Sequence, residues 1–152
     1  MSAGLHTIKA TVYDKVGGSF ISPFPYNTVT SQYITSFSIP RGCDKITNQA
    51  FQGFHGTSIT LPDTISYINP LAFTDSPLLE EVLILGKHRI VAFGTSNTYN
   101  SALKSAQSVF AECPNLRSIY VEDDLVNAYK INNGWSQYES IIKPISEYYE
   151  TH

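Results

Sequence analysis

Charged residues are scarce in this chain, at 15% of its 152 residues against roughly 25% in typical soluble globular proteins. The net charge is -3, and the lysines and arginines form no cluster. Nucleic acids and anionic membranes bind a local basic field, so we expect neither as a partner. Long apolar runs are missing too, because no segment approaches the roughly 20 residues of a membrane-spanning helix.

Signals for export are also missing. Residues 1–9 lack the basic segment and the apolar run of a secretory signal peptide, and no Asn-x-Ser/Thr sequon occurs. Two cysteines are too few for a disulfide framework. We therefore expect a cytoplasmic location, while a longer natural chain would leave export or a place in a virion open.

Motifs that carry catalytic or metal chemistry are missing as well. The four histidines share no ligand spacing, and neither His-Glu-x-x-His nor Cys-x-x-Cys occurs. Ser101 and Lys104 match Ser-x-x-Lys, but without a Lys-Thr-Gly partner we interpret the match as chance. Cys113 would need an activating histidine to act as a nucleophile, and none is suggested. We predict no catalytic residues, no metal, no cofactor and a non-enzymatic protein.

What the chain does have is a pattern that returns after 22 residues. The returning residues are Ile39-Pro40, Ile46 and Ala50-Phe51, which reappear as Leu61-Pro62, Ile68 and Ala72-Phe73. A fixed period of this length is typical of a solenoid, whose units bury their apolar faces by stacking on copies of themselves. Each unit is predicted to be a short strand closed by proline, a turn, and a return wall. On that wall, Ile90 keeps the 22-residue register with Ile68.

The repeat resembles the BspA-type leucine-rich repeat family, whose units carry an Ile-rich return, an Ala-Phe pair, a Cys-x-x-Leu step and a short strand ending in proline. The residues that carry the resemblance are Ile46 to Phe51, Ile59 to Pro62, Ile68 to Phe73 and Phe110 to Val121. The chain departs from the family pattern at Phe54 and Ser76, where a cysteine is expected, and at Glu122, where a proline is. The resemblance implies a short leucine-rich-repeat solenoid, mostly β, with one parallel sheet of short strands, irregular or short-helical returns and a C-terminal helical cap.

The repeats occupy residues 34–122, with an insertion near residues 94–108, because Phe110 lies 37 residues after Phe73 rather than 22. Cys43 corresponds to Ile65 one unit later, and Cys113 falls on the family's buried position. The two cysteines are predicted to lie about three coils apart, which is farther than the roughly 7 Å between Cα atoms that a disulfide can span. We therefore predict two free thiols in the core.

The ends of the chain show no repeat and complete a single folding domain. Residues 1–33 are interpreted as an N-terminal cap, with a partner-binding or self-associating arm as the alternative. Residues 123–152 are interpreted as a C-terminal cap and tail, in which Asp123 or Asp124 caps the following helix and the residues from Ser146 onward fray. The side chains predicted to close the last repeat are Leu125, Val126, Tyr129, Trp135 and Tyr138.

The register predicts which side chains leave the sheet on its outer face. Ser38, Thr60, Leu83 and Tyr120 form one outward ladder, which changes from polar to apolar along the solenoid. Leu83 and Tyr120, with Leu85 and Glu122 beside them, would make an exposed patch, and aromatic anchors often dominate interface energies. The alternative is that Leu83 and Tyr120 pack under the insertion or the cap.

A second candidate surface combines the loop Gly86 to Arg89 with the insertion. Lys87, Arg89 and Lys104 make this region locally basic, which suggests an acidic partner surface. A solvated loop without a function is the alternative.

These observations favour a non-enzymatic module that binds a protein partner. The candidate partner-binding residues are Thr60, Leu83, Leu85, Lys87, Arg89, Tyr99, Lys104, Tyr120 and Glu122. Proteins of the resembled family occur in bacteria and their phages, which suggests a phage or prophage inhibitor of a host protein. The alternative function is a structural or adhesin component, either self-associating or glycan-binding.

Overall fold

The structure, a computed structural model, describes residues 19–20, 36–87, 89–93 and 109–152. The strands of these residues form two parallel sheets. One contains, in spatial order, β2 (Ser36–Ser38), β4 (Ser58–Leu61), β6 (Glu81–Ile84), β8 (Ser118–Val121) and β9 (Ile142–Pro144), and the other contains β1 (Ser19–Phe20), β3 (Lys45–Ile46), β5 (Tyr67–Ile68) and β7 (Ala92–Phe93). We call them the long sheet and the return sheet.

The long sheet follows the register that the repeat predicts. Ser38 pairs with Thr60, Thr60 with Leu83, and Leu83 with Tyr120, so the predicted outward ladder is confirmed as a row of paired positions. The intervening residues Phe37, Ile59, Val82 and Ile119 point into the core and are buried. The chain also adds a strand that the sequence did not predict, since β9 pairs with β8 and places Lys143 next to Tyr120.

The return sheet adds two-residue strands to the otherwise irregular returns that the sequence predicted. Ile46 and Ile68 pair on it and are fully buried, as the period requires. The predicted register of Ile90 is wrong, because Ile68 pairs with Phe93, three residues further on. The backbone of Val91, between them, is hydrogen-bonded to the C-terminal cap instead, so the chain joins the sheet only from Ala92. At the other end, β1 adds a strand from within residues 1–33.

The core between the sheets contains a stack of phenylalanines from the Ala-Phe pairs. The rings of Phe51 and Phe73 lie 5.3 Å apart, and those of Phe73 and Phe110 lie 5.4 Å apart, both nearly parallel. The Phe73 N–H donates to the Val109 carbonyl at 3.0 Å. The register after the insertion is therefore the predicted one.

Small polar groups satisfy the backbone at the corner next to this stack. The Ser76 hydroxyl, fully buried, accepts the Phe54 N–H at 3.2 Å and lies 2.8 Å from the Phe73 carbonyl. One step along the solenoid, the Cys113 thiol contacts the same Phe73 carbonyl at 3.1 Å. Serine thus takes the place of the expected cysteine without leaving a buried polar group unpaired. Neither Cys43 nor Cys113 forms a disulfide, as predicted, and Cys43 is fully buried while Cys113 is partly buried.

The C-terminal end of the core is closed by α1 (Val126–Ile131) and a following 3₁₀ helix (Ser136–Ile141). Tyr129 and Trp135 are completely buried there, which confirms their predicted role. The Val91 N–H donates to the Tyr129 hydroxyl at 3.0 Å, and the Trp135 Nε1–H donates to the Val91 carbonyl at 2.7 Å. The two aromatic side chains therefore pair both backbone groups of one buried residue.

The last residues form α2 (Ile145–Thr151), so the prediction that they fray is wrong. The prediction that Asp123 or Asp124 caps the helix directly after it is also wrong. Asp123 accepts the Ser146 N–H at 3.1 Å, at the start of α2, whereas the 3₁₀ turn that contains Asp123 has no side-chain cap. Hydrogen bonding by the Ser146 side chain, together with this backbone bond, holds the pKa of the Asp123 carboxyl below its ordinary value. Strand β9 causes the difference, because it returns the chain to the long sheet and directs α2 across that sheet's outer face.

Candidate functional site

The outer face of the long sheet has an open half and a covered half. The open half presents the side chains of β2 and β4, where Ser36 and Ser38 are exposed and Ser58 and Thr60 are half-buried. All four side chains carry a hydroxyl group, which donates and accepts hydrogen bonds. The open half can therefore contact a polar partner surface, and Thr60 lies there as the register predicted.

The covered half corrects the prediction that Leu83 and Tyr120 are exposed. Their exposed fractions are only 5% and 4%, because Ile145 and Tyr148 of α2 pack on them with Leu85 at the margin. The alternative, packing under the C-terminal cap, is the arrangement found. The covering helix was not predicted from the sequence, although Ile145 and Tyr148 form an i, i+3 apolar pair directly after Pro144.

Charged and aromatic contacts surround this cover. Glu147 pairs with Lys143 at 3.5 Å, and His152 contacts Glu81 at 3.2 Å. The Tyr120 and Tyr148 rings meet edge to face at 5.2 Å, and His152 stacks on Tyr148 at 4.0 Å. Helix α2 is thus tied to the long sheet by polar contacts of Glu147 and of His152, directly after the helix, and by apolar contacts of Ile145 and Tyr148.

A cleft of about 320 Å³ opens at the edge of the long sheet where its strands end. It is lined by Asp63, Ile65, Gly86, Lys87 and Arg89. Counted from the paired strands, Asp63 and Gly86 occupy the same position of successive turns. A glycine therefore interrupts the row of turn side chains, and a Cβ placed on it would meet nothing closer than the Arg89 carbonyl at 3.7 Å. The missing side chain contributes to the cleft.

The charges of this cleft are unevenly paired. Asp63 pairs with Arg41 at 3.0 Å, across the turn on its other side. Lys87 and Arg89 are exposed and form neither an ion pair nor a side-chain hydrogen bond within the described residues. The cleft therefore carries two cations available to an anionic group, in a chain whose net charge is -3.

Other predicted site residues lie apart from the cleft or outside the described residues. Glu122 is half-buried after β8, where its carbonyl accepts the Leu125 N–H at 2.9 Å. Tyr99, Lys104 and the whole insertion, residues 94–108, lie outside the described residues. The structure thus brings Lys87 and Arg89 together, and separately Leu83, Leu85 and Tyr120.

The partly buried Cys113 thiol contacts the backbone carbonyls of Phe73 and Ala111 at 3.1 and 3.6 Å. Burial raises the pKa of the Cys113 thiol, which makes the reactive thiolate scarcer. Within the described residues, no three His, Cys, Asp or Glu side chains group together as metal ligands would. Nor is any helix there both long enough and apolar enough to cross a membrane.

Most of the chain matches a known protein family. A family model described as the BspA type leucine rich repeat region matches residues 24–134 in six copies. The matched region contains the predicted repeats, 34–122, and extends beyond them on both sides. No curated protein is significantly similar to the chain.

Proposed function

Because the chain belongs to the BspA-type leucine-rich repeat family, we propose that it is a scaffold that binds a protein partner through the cleft edge of the long sheet. The family is typically non-enzymatic, and its repeats suggest an interaction or adhesin-like module. Solenoids offer extended surfaces built from equivalent positions of successive units, which suits a macromolecular partner.

The observation that carries this proposal is the pair of unpaired cations at the cleft. Arg41 neutralises Asp63, so Lys87 and Arg89 give the edge a local positive charge. An acidic side chain of a partner would accept hydrogen bonds from both, and charge-assisted bonds of this kind are stronger than neutral ones. The opposite signs of the edge and the partner would also speed association and make it sensitive to salt.

The shape of the edge favours a protein partner over a small molecule. The cleft volume lies at the lower end of the roughly 300–1,000 Å³ range of ligand pockets. Among the described residues that line it, one has an apolar side chain, Ile65, which is almost fully buried. Thr60, at the end of the open half, lies only three residues before Asp63. A partner loop that inserts an acidic side chain in the cleft would therefore rest on the hydroxyl groups of the open half.

A pull-down from the lysate of the source cells, followed by mass spectrometry, identifies the partner. The charge-reversed variant Lys87→Glu/Arg89→Glu should bind that partner at least tenfold more weakly than the original chain, with a smaller dependence on salt. Gly86→Ser fills part of the cleft at unchanged charge and should also weaken binding. The matched control is Lys45→Glu/Lys130→Glu, which reverses two charges elsewhere.

Equal losses in the control and in the cleft variant would contradict the proposal, since they would reflect net charge alone. Full binding by the cleft variant would contradict it as well. The narrower hypothesis of a phage or prophage product that inhibits a host protein stays a prediction, which the identity and activity of the captured partner test.

A further inference from the structure

Helix α2 covers an apolar cluster that is separate from the main core. This cluster, which we call the face cluster, consists of buried Leu83, Tyr120 and Ile145 with half-buried Leu85 and Tyr148. Three of its members belong to the long sheet or its edge, and two belong to α2. The sheet thus has an apolar surface on the side away from its core, and the chain itself supplies the covering segment.

The contacts that hold α2 in place are few. Ile145 is its only buried residue, and a helix of seven residues is far below the length that is stable on its own. The ion pair with Lys143 and the contact between His152 and Glu81 involve partly exposed side chains, which contribute little to stability. Beyond these contacts, the face cluster and the hydrogen bond from the Ser146 N–H to Asp123 secure the cover among the described residues.

The sheet beneath does not depend on α2 for its backbone pairing. Strands β6 and β8 pair through Val82, Leu83 and their partners, and β8 pairs with β9 along its other edge. Withdrawal of α2 would therefore leave the ladder intact and expose Leu83, Leu85 and Tyr120. The exposed surface would continue into Thr60, the neighbour of Leu83 in the open half.

We propose that the covered half is a docking site for an amphipathic helix of a partner protein, and that α2 is the intramolecular occupant which this helix displaces. The inference rests on the proposed function in that it takes the partner to be a protein, but it concerns a different surface. Displacement requires only that the partner helix bind the face more tightly than α2 does at its effective concentration in the same chain.

The chemistry of α2 specifies the partner helix. Ile145 and Tyr148 show that an aliphatic residue followed three positions later by an aromatic one fits Leu83 and Tyr120. Lys143 at one end selects a carboxylate, in the place of Glu147, and Glu81 at the other end selects a cation. A helix longer than α2 would also reach the hydroxyl groups of the open half, which α2 leaves uncovered, and would thereby gain contacts over it.

A peptide titration of the full chain tests the proposal without an identified partner. The probe is residues 144–152 carrying Ser146→Lys, with a lactam bridge to Glu150 that stabilises the helix and lowers the entropic cost of binding. The chain is also prepared with Ile145→Ser/Tyr148→Ser, which we call the released variant. These changes weaken the packing of α2 and leave Leu83, Leu85 and Tyr120 of the covered half unchanged. Nuclear magnetic resonance of the ¹⁵N-labelled chain should show saturable shifts at Leu83 and Tyr120, with an affinity at least tenfold higher than for the original chain.

Two controls make the result specific. A probe with Ile145→Ser and Tyr148→Ser should cause no shifts, and neither should the original probe when the released variant also carries Leu83→Ser and Tyr120→Ser. If the released variant does not fold, Tyr148→Ser alone provides the same comparison. The dispersion of its amide signals reports folding.

Several outcomes would overturn the inference. The inference is wrong if the released variant folds but the probe causes no shifts in it, or if shifts persist in both controls. It is also wrong if the original chain binds the probe as tightly as the released variant does. The released variant can also be mixed with a chain that carries Leu83→Ser/Tyr120→Ser and keeps the original α2. If these two chains bind each other more tightly than the released variant binds the peptide, the covered half is instead a docking site for α2 of a second copy. None of these results depends on the cleft, so the pull-down with Lys87→Glu/Arg89→Glu tests the proposed function separately.

Discussion

The two coverings built from the C-terminal residues differ in how they are joined to the solenoid. The end closure, through Tyr129 and Trp135, is fully buried, belongs to the main core and pairs both backbone groups of Val91. The face cover, α2, buries one residue and forms a cluster of its own. Similar aromatic-rich sequences therefore do two different things: one completes the core, and the other lies on a surface that is complete without it.

The comparison predicts its largest effect at Trp135. The change Trp135→Ala removes a fully buried ring that stacks on Phe93 at 4.4 Å, and it leaves the Val91 carbonyl without its donor. We expect the free energy of unfolding to fall by about 3–5 kcal/mol, the usual cost of such a cavity. Urea denaturation followed by circular dichroism measures it, since the chain has no other tryptophan to follow by fluorescence.

The matched control is Tyr149→Ala on α2, whose side chain is 65% exposed. It should change the unfolding free energy by no more than about 0.5 kcal/mol. A loss at Trp135 as small as this would mean that the end closure is no part of the cooperative core.

The sequence predicted the parts of the molecule that repeat. The ladder from Ser38 to Tyr120 follows from the repeat, because stacked units must place equivalent residues side by side. Its steps are 22 residues to Thr60, 23 to Leu83 and, across the insertion, 37 to Tyr120. The same reasoning correctly aligned Phe110 with Phe73 after the insertion.

The unpredicted parts depend on segments that have no copy to be compared with. Strand β9 and helix α2 occur once, so no period predicts their place. Strand β9 is placed by pairing with β8, and α2 by packing on Leu83 and Tyr120. The apolar residues at outward positions did indicate that something contacts this face. Only the folded chain shows that its own C-terminal helix does so.

A smaller effect is expected at the face cover. Ile145→Ala removes the one buried side chain of α2, but unfolding of α2 alone limits the cost to about 1–2 kcal/mol. Hydrogen exchange should become about tenfold faster at the amides of α2, while the amides of β8 keep their protection. Faster exchange of both elements to the same extent would show that cover and sheet open together, and the distinction between the two coverings would fail.

The smallest effect is expected from acid and from Asp123→Asn. Hydrogen bonds from the Ser146 side chain and from the Ser146 N–H stabilise the charged form of Asp123, so the pKa of this carboxyl is lower in the folded chain than in the unfolded one. Its contribution to holding α2 is therefore fully present above about pH 4, the ordinary range of the group, and is lost as the pH falls through the lowered pKa.

In the original chain, α2 amide protection should decrease across that acidic interval before Trp135 fluorescence changes. In Asp123→Asn the protection should be lower at neutral pH and should decrease less on acidification. A variant that keeps the original acid response would show that Asp123 does not fasten the cover.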